Sequence, residues 1–363
     1  MIYLDYQATT PLAPEVLAAM LPWLERQHAN PHSAHREGRV ARAAVELARD
    51  RIAAVLPSGG SLSFTSGATE ALNWAIKGTT GPIVTLATEH AAVLDTVEAE
   101  RRGGRTVTVL PVNGDGLVDL DRARRAIVAG TGLVAAMLVN NEIGVIQPIA
   151  ALAELAHEAG ALMLCDAVQG AGRVDMPAGC DLIALSAHKI HGPKGIGALW
   201  LRDGVTLTPL LHGGGQETAG RSGTLSPSLC AGFGAAAALM GEKRAEDAAH
   251  VARLWDVGMT RLGAGWTANG STDQRYRGNL NLRHDGLDVA RLMSDLRDIA
   301  FSAGSACASG SGRPSHVLRA IGLGDAEARS SIRLGFGRYT GEDDLVAALD
   351  RIVAATDAQR LAA

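Results

Sequence analysis

Between residues 61 and 201, short apolar runs alternate with stretches of helical periodicity, and this alternation constrains the fold more than any other feature. Most of the apolar runs are continuous, as in strands that are covered on both faces of a sheet. The predicted strands are 61–65, 83–88, 106–110, 133–140, 161–166, 181–186 and 196–201, and the helices between them include 69–77, 91–101, 120–128 and 149–158. Strands that alternate with helices favour an α/β fold with a mostly parallel sheet covered by helices.

A chain of 363 residues is long enough for two domains. The elements predicted after the first block are helices 226–240 and 245–263, strand 279–283, helix 288–297 and strand 332–335. Thr340, with Asp343 three residues later, predicts the N-terminal cap of a last helix. We therefore predict an N-terminal arm at 1–13 that packs with the small domain, a large domain at 14–245, and a smaller α+β C-terminal domain at 246–363.

Composition and charge exclude several classes of function. The net charge is −4 and no long basic run occurs, so binding to nucleic acid is not expected. No stretch approaches about 18 uncharged apolar residues, and the N-terminus has no signal-peptide pattern. We therefore expect a cytoplasmic protein without a membrane-spanning segment. The four cysteines show no C-x-x-C spacing, which predicts reduced thiols, and no metal site is predicted.

Lysine is rare in this chain. Only four of the 34 lysine and arginine residues are lysines, and two of them, Lys189 and Lys194, lie in the glycine-rich segment SAHKIHGPKGIG at 186–197. Arginine does not lose its proton in a protein, so it cannot act as an amine nucleophile. A lysine that is kept against this bias, directly after a predicted strand, is a candidate for amine chemistry. A solvated surface lysine is the ordinary alternative.

Polar residues follow several of the predicted strands. In an open α/β sheet the ligand binds beyond the carboxyl ends of the strands, so these residues are candidates for a binding site. Asp166 ends a buried strand, where either a protonated pyridine nitrogen or the next turn would satisfy its carboxylate. The other candidates are Thr69 at a helix start, His90, Asn141 and Gln169. Each has a structural alternative, since helix starts, turns and buried histidines use the same residue types.

Cys307 lies in the small-residue segment FSAGSACASG at 301–310, which predicts an exposed and flexible loop. A mobile thiolate could reach a bound substrate and attack its sulfur. Cys165, in an apolar strand, is predicted to be inert packing, and Cys180 and Cys230 show no special setting. An ordinary loop cysteine is the alternative when nothing else in the chain requires a thiol.

These segments occur in the order and spacing of a known family. The motifs that carry the likeness are YLDYQATTP (3–11), FTSGATEALN (64–73), TEHAAVLDT (88–96), VNNEIG (139–144), DAVQ (166–169), SAHKIHGPKGIGAL (186–199), HGGGQE and RSGT (212–217 and 221–224), GSACAS (304–309) and SSIRLGFGR (330–338). The chain resembles the cysteine desulfurases of the NifS/IscS-like branch, which are class V aminotransferase-like enzymes of PLP fold type I. The resemblance implies pyridoxal 5'-phosphate as cofactor, a mostly parallel seven-stranded sheet in the large domain, and L-cysteine as substrate.

The resemblance also implies roles for individual residues. Lys189 matches the lysine that holds the cofactor as an internal aldimine and later carries protons, and Cys307 matches the nucleophile that takes the sulfur. His90 matches the histidine that stacks on the cofactor and acts as acid and base. Asp166 matches the partner of the ring nitrogen, and Gln169 matches the donor to the ring hydroxyl. The phosphate contacts are matched by Ala68 (through its backbone), Thr69, Ser186 and His188. Asn141 and Arg333 match the two residues that hold the substrate carboxylate. Thr224 matches a phosphate contact that comes from the partner subunit, which implies a homodimer.

The implied reaction converts L-cysteine to L-alanine and passes the sulfur through Cys307 to a protein acceptor, in iron–sulfur cluster assembly or another sulfur pathway. The chain departs from the family motifs at a few positions: Ala187 replaces a glycine, Gln216 replaces a histidine, and the loop reads SAGSACAS where the family often has SSGSACTS. Selenocysteine lyase-type activity is one alternative interpretation. A non-catalytic sulfur-relay or scaffold protein is the other, and the presence of Lys189 and Cys307 argues against it.

Overall fold

The computed structural model describes residues 1–304 and 315–361, in which the strand–helix alternation forms one large sheet. The strands are β1 (Ile2–Tyr3), β2 (Gly60–Thr65), β3 (Ile83–Leu86), β4 (Val107–Leu110), β5 (Leu133–Met137), β6 (Leu162–Asp166), β7 (Leu182–Ser186), β8 (Gly197–Arg202), β9 (Trp266–Ala268), β10 (Asn279–His284), β11 (Ile299–Ala300), β12 (Ser302–Ala303) and β13 (Ser331–Gly335). The helices are α1 (Pro14–Glu25), α2 (Arg36–Ala53), α3 (Ala68–Lys77), α4 (Ala91–Arg102), α5 (Leu120–Ala126), α6 (Ile149–Glu158), α7 (Pro227–Leu262), α8 (Val289–Asp295), α9 (His316–Ala320), α10 (Asp325–Arg329) and α11 (Glu342–Leu361). The predicted α/β fold with a smaller second sheet is confirmed.

Seven strands form the large sheet, in the order β2-β8-β7-β6-β5-β3-β4. Neighbouring strands are parallel except that β8 runs antiparallel to β2 and β7. Met163 and Cys165 of β6 join one buried cluster, whereas Leu164 between them joins another on the opposite face. Because both faces are buried, the strands are continuously apolar. Because β2, β3, β5, β6 and β7 run in the same direction, their carboxyl ends meet at one edge of the sheet.

A single helix of 36 residues, α7, occupies the region in which two helices were predicted at 226–240 and 245–263, so that prediction is wrong. Glycine inside a helix costs about 1 kcal/mol relative to alanine, and Gly241 therefore suggests a break. Packing of α7 against α1 and α2 compensates for this cost. The approach to α2 is so close that a Cβ added at Gly234 would lie 2.6 Å from the Cα of Ala48. None of the described helices is both long and apolar enough to cross a membrane.

The second sheet is antiparallel, in the order β12-β13-β10-β9, and its core includes side chains from α7, α8 and α11. The N-terminal arm joins this part of the molecule. Ile2 of β1 pairs with Ile299 of the parallel strand β11, and Leu4 is fully buried in the same apolar cluster. The predicted division after residue 245 falls inside α7, and the domain boundaries stay a prediction.

The start of the last helix differs from the prediction. The Gly341 carbonyl accepts the Leu345 amide at 3.1 Å, which makes Gly341 the residue at the cap of α11. The Thr340 hydroxyl instead accepts a hydrogen bond from the Gly337 amide at 3.2 Å. The predicted cap by Thr340 is therefore wrong, because the preceding turn already uses its side chain.

Candidate active site

A cavity of about 500 Å³ lies at the carboxyl edge of the large sheet. Volumes of roughly 300–1,000 Å³ are usual for small-molecule and cofactor sites. Ten of the residues predicted for the site line this cavity, namely Ala68, Thr69, His90, Asn141, Asp166, Gln169, Ser186, His188, Lys189 and Arg333. They come from both sheets, so folding brings together segments that are distant in sequence.

Lys189 ends the short 3₁₀ turn Ala187–Lys189 that follows β7 directly. Its Nζ donates to the backbone carbonyls of Gln7 and Ala8, the second at 2.7 Å. Gln7 and Ala8 belong to the N-terminal arm and also line the cavity, so the arm forms one wall of the site. The two carbonyls fix the position of the amine relative to the edge of the sheet.

Asp166 is the last residue of β6, and its side chain is buried. One carboxylate oxygen accepts the Val168 amide at 3.0 Å. Burial raises the pKa of the Asp166 carboxyl, while the Val168 amide, His90 and Lys189 act in the opposite direction. A cationic group of a ligand would stabilise this carboxylate, which fits a protonated pyridine nitrogen.

His90 is the N-terminal cap of α4 and lies at the end of the segment that follows β3. Its Nδ1 accepts the Ala92 amide at 3.0 Å, so the neutral ring carries its proton on Nε2. Burial lowers the pKa of the His90 imidazole, and the nearby Asp166 carboxylate opposes that shift. The ring is therefore held in one tautomer, with its charged form disfavoured, at the wall of the cavity.

The start of α3 forms another wall of the cavity. The helix begins at Ala68, after the β2 strand and the pair Ser66–Gly67, and its first backbone N–H groups have no partner within the helix. A helix N-terminus with a nearby hydroxyl, here that of Thr69, suits a phosphate group. Lys194 also lines the cavity and adds a positive charge.

Ser186 and His188 flank the turn that carries Lys189, and both line the same cavity. The Nδ1 atom of His188 lies 3.1 Å from the Thr9 hydroxyl. Burial lowers the pKa of His188 to about 4, with smaller effects from Lys189, Lys194 and Arg173. His188 is therefore neutral at physiological pH and can donate or accept a hydrogen bond, but it adds no charge.

Arg333 reaches the cavity from β13 of the second sheet and is only 1% exposed. Its guanidinium donates to Asp5 at 2.8 Å, to the Asn141 carbonyl at 3.0 Å and to the Ser302 hydroxyl at 3.3 Å. Its Nε has no hydrogen-bond partner within residues 1–304 and 315–361. A buried guanidinium with an unused donor is suited to a carboxylate ligand, since its planar geometry permits two parallel hydrogen bonds.

Gln169 is buried in the turn after β6. Its amide nitrogen donates to the Gln7 carbonyl at 2.9 Å, and its amide oxygen accepts a hydrogen bond from Arg173. The amide NH₂ carries two protons, so the nitrogen can serve a ligand in addition to Gln7. This arrangement suits the predicted contact with a ring hydroxyl.

The two remaining predicted site residues are Thr224 and Cys307. Thr224 is exposed and does not line the cavity. Cys307 lies outside the described residues, and the described residues on either side of that segment are Gly304 and Ser315. Asn281 donates to the Gly304 carbonyl at 3.4 Å and to the Glu142 carbonyl at 3.0 Å, while Ser315 donates to the Glu142 carboxylate.

The other three cysteines are buried. Burial raises the pKa of Cys230 to about 12, and a contact with Cys180 together with burial raises the pKa of Cys165 well above its usual value. A thiol with a raised pKa is a poor nucleophile at neutral pH. None of these three cysteines lines the cavity.

Several residues at the cavity were not singled out from the sequence. Gln7 and Ala8 supply backbone carbonyls from the arm, Ser66 and Gly67 precede α3, and Lys194 contributes a second amine. The scarcity of lysine was a signal for Lys194. The arm residues carried no comparable signal, because a backbone carbonyl acts independently of the side chain.

The chain is similar in sequence and in fold to known proteins. The family model described as aminotransferase class-V matches residues 2–347. The chain belongs to the aminotransferase class-V family. The relationship inferred from the motifs is thereby confirmed, and enzymes of this family depend on pyridoxal phosphate in general.

Among relatives of this class V chain, the cysteine desulfurase IscS of Rickettsia felis is 42% identical to it, across 99% of this chain and 92% of the relative. A NifS-like protein from Rickettsia africae has a solved structure with a TM-score of 0.90 and 30% identity, covering 98% of this chain and 99% of that one. The structure of SspA in complex with cysteine has a TM-score of 0.83 and 35% identity, covering 94% of this chain and 100% of that one. Both the sequence and the fold of this chain are therefore similar to these proteins over nearly the whole length.

Proposed function

We propose that the protein is a pyridoxal phosphate-dependent cysteine desulfurase, which converts L-cysteine to L-alanine and takes the sulfur as a persulfide on Cys307. The observation that carries this proposal is the shared cavity, because Lys189, Asp166 and Arg333 come from three separate segments and line the same space. Relatives named as cysteine desulfurases match nearly the whole chain, which supports the same reaction.

Four residues are proposed to contact the ring of the cofactor. Lys189 would hold the cofactor through its amine, and the Asp166 carboxylate would keep the ring nitrogen protonated. Gln169 donates to the ring hydroxyl, and His90 lies against the ring. When bound, pyridoxal phosphate acts as an electron sink for negative charge that develops on the substrate.

The phosphate group is proposed to bind at the start of α3, where Ala68 offers a backbone N–H and Thr69 a hydroxyl. Ser186 and His188 complete this set from the opposite wall. Thr224 is proposed to contact the phosphate of the partner subunit in a homodimer. Its exposure, and its position away from its own cavity, support this assignment.

Substrate binding and proton transfer are assigned to residues that line the cavity. The Arg333 guanidinium and the Asn141 side chain are proposed to hold the carboxylate of L-cysteine, which orients the Cα–H bond towards Lys189. With the cofactor bound, the Lys189 amine would be placed to take up this proton and later to return it. His90 is proposed to act as acid and base beside Lys189; burial lowers the pKa of its imidazole and so favours the neutral ring.

The sulfur transfer is assigned to Cys307. Its thiolate attacks the substrate sulfur, an S–S bond forms as the C–S bond breaks, and the electron pair of the C–S bond stays on carbon, which takes up a proton to give alanine. The burial of the other three cysteines supports this assignment. So do the contacts of Gly304 and Ser315 with Asn281 and Glu142, because Glu142 follows Asn141 of the cavity directly.

We further propose that a protein acceptor receives the sulfur, in iron–sulfur cluster assembly or another sulfur pathway, and that the enzyme works in the cytoplasm. Incubation with labelled cysteine and candidate acceptor proteins would identify the acceptor from the transfer of label.

The test uses the protein purified with pyridoxal phosphate. L-Cysteine and a reducing thiol should yield alanine and sulfide in equal amounts. The Cys307→Ser variant should keep the absorption of the bound cofactor but release no sulfide, whereas Cys230→Ala, which alters a buried cysteine away from the cavity, should retain turnover. A colourless protein that stays colourless with added pyridoxal phosphate, or full sulfide release by Cys307→Ser, would contradict the proposal. Parallel assays with selenocysteine would measure the preference between the two substrates.

A further inference from the structure

We infer that Arg173 is a positioning residue that sets the orientation of the Gln169 amide and the charge beside Lys189. This inference rests on the proposed function, because it assigns Arg173 an effect on the bound cofactor. Arg173 does not line the main cavity, so it would act through Gln169 and through the backbone at Lys189 rather than by contact with the substrate.

Arg173 contacts both residues directly. Its Nη1 donates to the side-chain oxygen of Gln169 and to the Gln169 carbonyl, the latter at 3.3 Å. Its Nη2 donates to the Lys189 carbonyl at 2.9 Å. The guanidinium carbon lies 5.2 Å from the centre of the Tyr276 ring, which holds the group in place. One planar guanidinium therefore joins the turn after β6 to the turn after β7.

The contact with Gln169 decides which end of the amide can serve a ligand. A guanidinium has only N–H donors, so the amide atom beside it must be the oxygen. The NH₂ end is consequently directed to the Gln7 carbonyl and the cavity. Without Arg173, only the Gln7 carbonyl would hold the amide in this orientation, and a rotation of the amide by half a turn would present the oxygen to the cavity. An oxygen there would repel the ring oxygen that Gln169 is proposed to stabilise.

The charge of Arg173 lies beside the backbone of Lys189. Within the described parts of the chain, no carboxylate forms an ion pair with this guanidinium, and its hydrogen bonds go to Gln169 and Lys189. A cation beside Lys189 disfavours a positive charge on the Lys189 nitrogen. Donation from Gln169 to the ring oxygen acts in the same direction, because it weakens the attraction between that oxygen and a protonated lysine nitrogen.

The test measures the absorption of the bound cofactor as a function of pH, which reports the protonation of the nitrogen that links Lys189 to the cofactor. Other charged or titratable groups also face Lys189, and the variants leave them unchanged. From the cavity these are His90, Asp166, His188, Lys194 and Arg333. From the side of Arg173 they are Tyr6, His191, Asp247, Tyr276 and Arg338. Arg173→Met should raise the pH midpoint of the absorption change by roughly one unit, as expected when a nearby cation is lost.

A double-mutant cycle with Gln169→Leu separates an effect through Gln169 from a general disturbance. If Arg173 acts through Gln169, Arg173→Met should shift the midpoint by less than half as much in the Gln169→Leu background as in the wild type. Arg244→Met is the matched control, because Arg244 pairs with the exposed Asp175 outside the cavity. It should leave the midpoint unchanged.

Arg173→Lys decides the question if Arg173→Met does not fold. It keeps the charge, but one ammonium cannot hold the three acceptors as the planar guanidinium does, so a smaller shift in the same direction is expected. A wild-type midpoint in the folded Arg173 variant would overturn the inference. Equal shifts in both backgrounds would overturn its central part, the orientation of the Gln169 amide by Arg173. A wild-type protein that binds no pyridoxal phosphate would instead overturn the proposed function, so the two failures are distinguishable.

Discussion

Lys189 and Gln169 donate hydrogen bonds to the same acceptor, the backbone carbonyl of Gln7, which lies 2.9 Å from the Gln169 nitrogen. Two donors from different turns thus converge on one oxygen in the cavity. A ring oxygen that lies beside the lysine nitrogen requires the same pair of donors. The arrangement of these two side chains therefore supports their proposed roles, and it makes the arm a part of the site.

Replacement of Lys189 by alanine should abolish turnover while the protein stays folded. The amine is the proposed attachment point of the cofactor and the proposed proton carrier, so a loss on the order of 10³-fold or more is expected in kcat. The measurement is alanine formation, together with the absorption spectrum of the purified protein. Lys243→Ala is the control, because Lys243 pairs with the exposed Glu246 and does not line the cavity. Appreciable turnover by Lys189→Ala would exclude the proposed role.

Glu89 should tolerate replacement by glutamine but not by alanine. The residue is fully buried, one carboxylate oxygen accepts the Met137 amide at 2.9 Å, and the other has no hydrogen-bond partner among the described residues. Burial raises the pKa of Glu89 well above its usual value, and the nearby Asp166 adds to this effect. Glu89→Gln resembles the protonated acid, whereas Glu89→Ala should lower the free energy of unfolding by about 2–4 kcal/mol.

The raised pKa of Glu89 also fixes the sign of a pH effect. A carboxyl group whose pKa is higher in the folded state stabilises the protein at low pH, and this contribution is lost as the pH rises through the folded-state pKa. The free energy of unfolding of the cofactor-free protein, measured with urea, should therefore decline less between pH 6 and pH 8 for Glu89→Gln than for the wild type. Equal declines, or a Glu89→Gln protein as unstable as Glu89→Ala, would show that Glu89 is ionised in the folded protein.

Replacement of Arg333 by lysine should mainly weaken the binding of L-cysteine. Lysine keeps the charge but cannot form two parallel hydrogen bonds with a carboxylate. Hydrogen bonds to charged groups contribute about 1.5–3 kcal/mol, so kcat/KM should fall roughly 10- to 100-fold, largely through KM. Steady-state kinetics would measure the change. Arg283→Lys is the control. Arg283 lies on a neighbouring strand, pairs with Glu327 and does not line the cavity, so kcat/KM of this variant should be close to the wild-type value.

The proposed homodimer predicts complementation between two impaired variants. If Thr224 serves the partner's site, mixed dimers of Lys189→Ala and Thr224→Ala contain one site with both residues intact. Thr224→Ala alone should bind pyridoxal phosphate several-fold more weakly, since one charged hydrogen bond is lost. Subunits mixed at limiting cofactor should regain turnover above the sum of the separate variants. No gain, with mixed dimers demonstrated by mass, would place Thr224 outside the partner's site.

Much of the large sheet and its edge was predictable from local patterns. The strands that end at Asp166 and Ser186 are continuous apolar runs, because both faces of the sheet are covered. Parallel strands place their carboxyl ends at one edge, so polar residues after these strands were expected near each other. His90 and Lys189 follow the same rule, and the resemblance of the motifs supplied their expected roles.

The sequence by itself therefore determined the α/β class, the positions of the strands in the chain, and most of the side chains at the sheet edge, since periodicity and strand ends are local properties. Only the tertiary structure decided that the Gln7 carbonyl joins Lys189 to Gln169, that Arg173 orients the Gln169 amide, and that α7 runs unbroken past Gly241. These features depend on packing between segments distant in the chain, and such packing leaves no periodic signal in any one of them.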